Sequence, residues 1–211
     1  MFAPGTRTAR NLDEMRKYGF KVLISPRYLE GNGWKAQCWT DGTVAPYAID
    51  NGAWTAYSQG IPFEEELFLR TLDAVGDGAE WICIPDIVAH PDSLAFSLSW
   101  MPRMLARYEH VLLPVQNGMT PAQIAPLIGP RVGIAVGGDD DWKLGTIYLW
   151  AQLARKHNAH CHVLRVNSQK RIRHCMIWGA QTADGLSAAK FALSTPKLDK
   201  AVQWKQQGLF I

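Results

Sequence analysis

Three aspartates in this chain stand where a short apolar run gives way to a turn. Asp50 follows Ala45-Pro46-Tyr47-Ala48-Ile49, Asp86 follows Trp81-Ile82-Cys83-Ile84-Pro85, and Asp184 closes a short strand-like segment just before Gly185. A carboxylate at the lip of a buried strand can attack an electrophilic carbon, pass a proton, or accept hydrogen bonds from a polar ligand. Two more runs end on complementary groups. Val111-Leu112-Leu113-Pro114-Val115 leads to the amide of Gln116, and Val132-Gly133-Ile134-Ala135-Val136 leads to Gly137-Gly138, whose bare main chain offers N–H and C=O groups to a ligand above it. Acids, an amide and open backbone at successive strand ends suit a small polar heterocycle. Each residue alone has a plainer reading. Asp184-Gly185 is a common turn dipeptide, and three strand-end aspartates also suit Mg²⁺ in a metal-dependent barrel; the amide and the glycine pair favour the heterocycle.

The segment before Asp184 is strongly basic. After a strand over His162-Val163-Leu164 come Arg165, then Lys170, Arg171 and Arg173 on a helix that begins near Ser168 and stops at Gly179. These cations are placed to grip phosphates flanking a bound nucleotide. Lysines and arginines along a helix equally form a solvated face.

The elements that must position these groups alternate in type. Continuous apolar runs of strand length recur at Phe20–Ser25 and before each of the strand-end groups above, and amphipathic helices intervene at Thr8–Gly19, Phe63–Gly76, Asp92–Tyr108 and Trp142–Asn158. Pro102 is expected to kink or interrupt the third of these, and Thr120-Pro121 opens a further helix as N-cap and first helical residue. Such alternation implies a parallel sheet covered by helices. Polar groups spread over five strand ends, rather than gathered at one switch point, favour a single (β/α)8 TIM-like barrel over residues 1–211. Seven strands are legible. The eighth is open between Gly208-Leu209-Phe210-Ile211 and the long segment Arg27–Val44, which carries Trp34 and Trp39 and reads either as a functional loop or as a lid folded onto the core.

Composition narrows the partners. At 211 residues and 47% hydrophobic content the chain fits one domain, and 22 basic against 19 acidic residues leave a net charge of only +3, so any nucleic-acid contact must come from a local patch. Cys38, Cys83, Cys161 and Cys175 have no zinc-like spacing and read as reduced thiols. Neither a leader-like segment nor an apolar run of membrane-spanning length is present, which implies a cytoplasmic protein with no membrane partner. No phosphate-cradling glycine motif, Gly-x-Ser-x-Gly or His-Glu-x-x-His occurs, so neither a nucleotide cofactor nor a metal is called for.

From about Tyr47 to Gly185 the ordered strand ends resemble the tRNA-guanine transglycosylase family, and more closely its small bacterial and phage relatives that insert 7-deazaguanines into DNA. Asp50-Asn51-Gly52-Ala53-Trp54 is similar to that family's Asp-Ser-Gly-Gly-Phe segment, and Val115-Gln116-Asn117-Gly118 to its Val-Gln-Gly-Gly segment. Gly133-Ile134-Ala135-Val136-Gly137-Gly138 is similar to its Gly-x-Ala-x-Gly-Gly motif, and Gly179 to Asp184 to the strand ending on its nucleophile. Pro85-Asp86 resembles the place of an aspartate that reads the guanine edge. The chain departs from the family at Asn51, Ala53 and Trp54, and at Asp139, which follows the paired glycines where the tRNA enzymes carry an apolar residue. It also lacks the Cys-rich zinc subdomain, since neither cysteine nor histidine follows Gly185.

The resemblance implies a barrel enzyme that exchanges guanine in DNA for a 7-deazaguanine without a cofactor, in the cytoplasm of a bacterium or a phage-infected host. Asp184 would be the nucleophile at C1′ and Asp50 the general acid/base. Asn51, Asp86, Gln116, Gly137 and Gly138 would bind the base, and Arg165, Lys170, Arg171 and Arg173 the nucleic acid. The partners would be DNA, with its guanine nucleotide flipped out or single-stranded, and a free base of the preQ0 type. An N-glycosyl transferase or hydrolase acting on nucleosides or tRNA, and a non-catalytic nucleic-acid-binding relative, remain the alternatives.

Overall fold

A computed structural model describes residues 1–203 of the chain. In order, its elements are β1 (Phe2–Pro4), α1 (Ala9–Lys17), β2 (Lys21–Ile24), α2 (Pro26–Gly31), β3 (Tyr47–Ile49), α3 (Ala53–Gln59), α4 (Glu65–Val75), β4 (Ile82–Cys83), α5 (Ser93–Arg107), β5 (Val111–Val115), α6 (Pro121–Ile124), β6 (Val132–Val136), α7 (Asp140–Lys156), β7 (Cys161–Val163), α8 (Gln169–Ile177), β8 (Thr182–Ala183), α9 (Ser187–Lys190) and α10 (Thr195–Val202). The strands form one eight-stranded sheet in chain order, and every pairing between successive strands is parallel. A parallel bridge between Phe2 and Asp184 brings the first strand back to the last. The fold is the (β/α)8 barrel that the alternation of elements implies.

The period-two pattern of the strands divides the apolar side chains into two groups. Phe2, Leu23, Ala48, Cys83, Leu112 and Ala135, with Trp81, pack together as the filling of the barrel. Their neighbours Val22, Ile24, Ile49, Ile82, Leu113, Ile134 and Val163 turn outward and join the larger core under the helices. At Gly133 a Cβ would stand 2.5 Å from Leu112 Cδ2 and 2.7 Å from the His160 carbonyl oxygen, so only glycine leaves Leu112 its place in the interior.

Several elements differ from the sequence expectations. The eighth strand is β1, beside β2 and β8. It is not drawn from Arg27–Val44, and Gly208–Ile211 lie outside the described residues. Three residues ending in proline carry no legible period, and only tertiary pairing makes them a strand. In β1, Phe2 is fully buried and its carbonyl oxygen accepts from the Gly185 N–H at 3.2 Å. Arg27–Val44 contains α2, capped by the Ser25 hydroxyl. Trp39 is buried in the outer core and Trp34 packs against it under the Arg70 guanidinium, 3.9 Å from the ring centroid. Both tryptophans fold down onto the core, as the lid reading has it. The turn after Asp50 continues into α3, which the sequence reading did not include. Pro102 does not interrupt α5, which runs through it. Trp100, packed against Phe63, Phe68 and Phe96, fastens the helix on the proline's N-terminal side.

Because Phe2 fills the barrel beside the closing seam, Phe2→Ala should destabilise the protein by about 3–5 kcal/mol, the usual cost of emptying a buried aromatic site. Denaturant unfolding of the two proteins measures this directly.

Candidate active site

The carboxyl ends of the strands surround a cavity of about 380 Å³, within the range of small-molecule sites. Asp50, Asn51, Asp86, Gln116, Gly137, Gly138, Arg165, Arg171 and Asp184 all line it. Lys170 and Arg173 lie on the exposed face of α8, outside the lining. Arg171 stands at the rim, its guanidinium 2.7 Å from Asp140 Oδ2.

Asp86 is buried and held at both oxygens by amides. Asn51 Nδ2 donates to Oδ1 at 2.8 Å, and Gln116 Nε2 donates to Oδ2 at 2.5 Å. Each amide is otherwise occupied by the protein. Asn51 also donates to the Ile84 carbonyl oxygen and accepts from the Ala53 N–H, while Gln116 also donates to Ser93 Oγ and accepts from the Ala89 N–H. In this geometry Asn51 and Gln116 aim Asp86, and Asp86 is the group left to read a ligand.

Asp184 is tied through one oxygen. Oδ1 accepts from the Arg165 main-chain N–H at 2.9 Å and lies 3.1 Å from His162 Nε2. No donor among the described residues reaches Oδ2, the oxygen left for a ligand. Arg165 adopts a left-handed backbone, with φ +58°, which is uncommon for a long side chain. That conformation lets its N–H meet Asp184 while its guanidinium lies 3.7 Å above the Trp54 ring centroid and donates to the Gly138 carbonyl oxygen at 2.8 Å. Gly138, with φ +74°, has no room for a side chain, since a Cβ would meet Asn117 Oδ1 at 2.4 Å and the Trp142 ring at 2.8 Å.

Burial acts on Asp50 and Asp86 alike. Burial, with the charges of Asp184 and Asp86 adding to it, pushes Asp50 up to about 7, against the pull of the Asn51 and Gly52 main-chain N–H groups. Burial likewise raises Asp86 to about 6, opposed by Asn51, Arg165 and Gln116. Asp50 is thus suited to carry a proton near neutral pH, while Asp184 presents an open oxygen. Arg165 loses some basicity to burial and is supported by Asp184, Asp140, Asp50 and Asp86 around it. Among the described residues, no three histidine, cysteine, aspartate or glutamate side chains are arranged to hold a metal ion.

The sequence reading did not single out His162, Arg165's hold on Asp184, or the stacking of Arg165 on Trp54. A signal for His162 was present. In β7 with the residue before it, and in β8 with the residue after it, polar side chains fall on alternate residues, His160 and His162 in one and Thr182 and Asp184 in the other, which assigns them to one face of the sheet.

The chain matches no protein-family model, and no curated protein sequence matches it. Among the described residues no helix is long and apolar enough to cross a membrane.

Asp50 binds its proton more tightly folded than unfolded, so its stabilising contribution is greatest below about 4 and is lost as the pH rises through about 7. Asp50→Asn cannot ionise. Its stability relative to the unsubstituted protein should therefore grow by roughly 2–3 kcal/mol between pH 5 and pH 8, at about 1.4 kcal/mol per unit. Melting curves of both proteins at the two pH values test the sign.

Proposed function

We propose that this protein exchanges guanine in DNA for a free 7-deazaguanine through a covalent aspartyl intermediate. The observation that carries the reading is Asp184, restrained at Oδ1 and open at Oδ2, in one hollow with a proton-bearing Asp50 and an amide-aimed Asp86. The resemblance of the ordered strand ends supports the same chemistry.

In the first half-reaction Oδ2 of Asp184 attacks C1′ as the bond to guanine N9 breaks, and the departing base takes the Asp50 proton. In the second, the incoming 7-deazaguanine gives its N9 proton to Asp50 and its nitrogen attacks C1′, which frees the Asp184 carboxylate. The logic is that of retaining glycosidases. Ionised Asp86 accepts from the N1–H and exocyclic amine of guanine. Adenine and the pyrimidines would leave that buried carboxylate without its donors, so they are rejected.

A duplex base cannot reach such a hollow without leaving the stack. Trp54 and Tyr57, 44% and 51% exposed with ring centroids 5.6 Å apart, provide an aromatic surface at the mouth on which a neighbouring base can stack. Lys170, Arg171 and Arg173 on α8 place positive charge on the same side of the barrel. The four cysteines are free thiols, in keeping with a reducing cytoplasm.

Incubation with DNA and a preQ0-type base, followed by nucleoside mass spectrometry, should reveal a 7-deazaguanine nucleoside in the DNA. Denaturing gels should trap a protein–DNA adduct that Asp184→Asn abolishes. Release of guanine from free deoxyguanosine alone would favour a nucleoside enzyme, and unchanged DNA with every base tried would sink the reading. Because Asp86 must be ionised and Asp50 protonated, the rate should fall below about 6 and above about 7. Asp50→Asn should remove the alkaline limb. Lys170→Ala should weaken DNA binding and lower the slope of log affinity against log salt by about one.

A further inference from the structure

Below Asp184 a file of polar side chains runs beside the apolar filling of the barrel: His162 on β7, Thr182 on β8 and His160 just before β7. His162 is fully buried between Phe2 and Trp81, with ring centroids 5.8 Å and 4.7 Å away. Its Nε2 lies 3.1 Å from Asp184 Oδ1 and its Nδ1 lies 2.8 Å from Thr182 Oγ1. The same hydroxyl lies 2.6 Å from His160 Nε2. His160 in turn lines a hollow at the opposite end of the barrel, together with Lys21, Glu80 and His110. Four side chains thus join the candidate active site to the far mouth.

Donor bookkeeping orders the file. An ionised carboxylate only accepts, so His162 Nε2 carries a proton toward Asp184. A neutral imidazole then accepts at Nδ1, the Thr182 O–H donates to it, and the remaining Thr182 lone pairs accept from His160 Nε2–H. With both rings neutral, a single proton arrangement satisfies all three contacts. Burial, and the neighbouring His162, Lys21 and His110, lower His160 to about 4, so near neutral pH that ring is the neutral donor this order needs.

We propose that Thr182 and His160 fix the tautomer of His162, and that His162 is the positioning residue that holds Asp184 Oδ1 so that Oδ2 faces the substrate. Without a donor at Nδ1 the imidazole is free to protonate there instead, and it would then turn a lone pair toward the carboxylate and release it. The pattern is an acid aimed by a second residue whose own proton is set by a third. The consequence for rate rests on the base-exchange reading; the tautomer does not.

Long-range ¹⁵N–¹H spectra of the imidazole nitrogens, assigned with His160→Gln, should show His162 at pH 7 with Nε2 protonated and Nδ1 bare. Thr182→Val should abolish that single state, and Thr182→Ser should keep it. In the exchange assay Thr182→Val should lower kcat on the order of tenfold, leave KM for the incoming base within about twofold, and be rescued by Thr182→Ser. A His162 protonated at Nδ1 in the unsubstituted protein overturns the proposal whether or not that protein exchanges bases. So does a Thr182→Val variant with the same tautomer and the same kcat. The predicted tautomer in a protein that exchanges no base would uphold the hydrogen-bond order and count against the exchange reading alone.

Discussion

Three carboxyl groups cannot all be ionised at low cost in one hollow where burial, and at Asp50 also the neighbouring charges, oppose the ionised form, and that cost organises the upper end of this barrel. The structure meets it by treating the acids differently. Asp50 is pushed up to about 7 and holds a proton near neutrality. Asp86 receives a hydrogen bond at each oxygen from Asn51 and Gln116. Asp184 receives donors from Arg165 and His162 at a single oxygen. Which donors reach which oxygens thus gives the three carboxyl groups three different surroundings.

Those donors are supplied by parts of the chain that the barrel alone brings together. Arg165 follows β7, and its left-handed backbone lets one residue touch Asp184, Gly138 and Trp54 at once. Such a conformation persists only where surrounding contacts hold it, and it is characteristic of functional sites. Behind it, the buried Lys143 donates to the Leu164 carbonyl oxygen at 2.8 Å and meets Asp140 at 3.2 Å, which anchors the turn from which Arg165 emerges. Arg165 is therefore part of the wall of the hollow, whereas Lys170 and Arg173 belong to the outer face of α8.

The alternation of apolar runs with amphipathic helices made the barrel legible in the sequence, because parallel strands buried on both faces need no polar positions. The same logic located Asp50, Asp86, Gln116, Gly137, Gly138 and Asp184, since a polar group at the end of an apolar run stands out. What the sequence hid depends on contacts distant in the chain. Phe2–Pro4 forms a strand only because β2 and β8 flank it, and Gln116 holds Asp86 only because successive strands lie side by side. His162 was harder, because one histidine in an apolar run reads as ordinary packing until its alternation with His160 is set beside that of Thr182 and Asp184.

The seam between β1 and β8 bears on how the molecule is made. Phe2 leaves the ribosome before its partners Asp184 and Gly185, so during synthesis β1 must wait, paired on one side only, while the rest of the cylinder is laid down. Throughout that interval its free edge and aromatic ring are open to association with other chains. Asp184 directly follows the strand that ends the wait, so the hollow it lines is complete only in a molecule that has already closed.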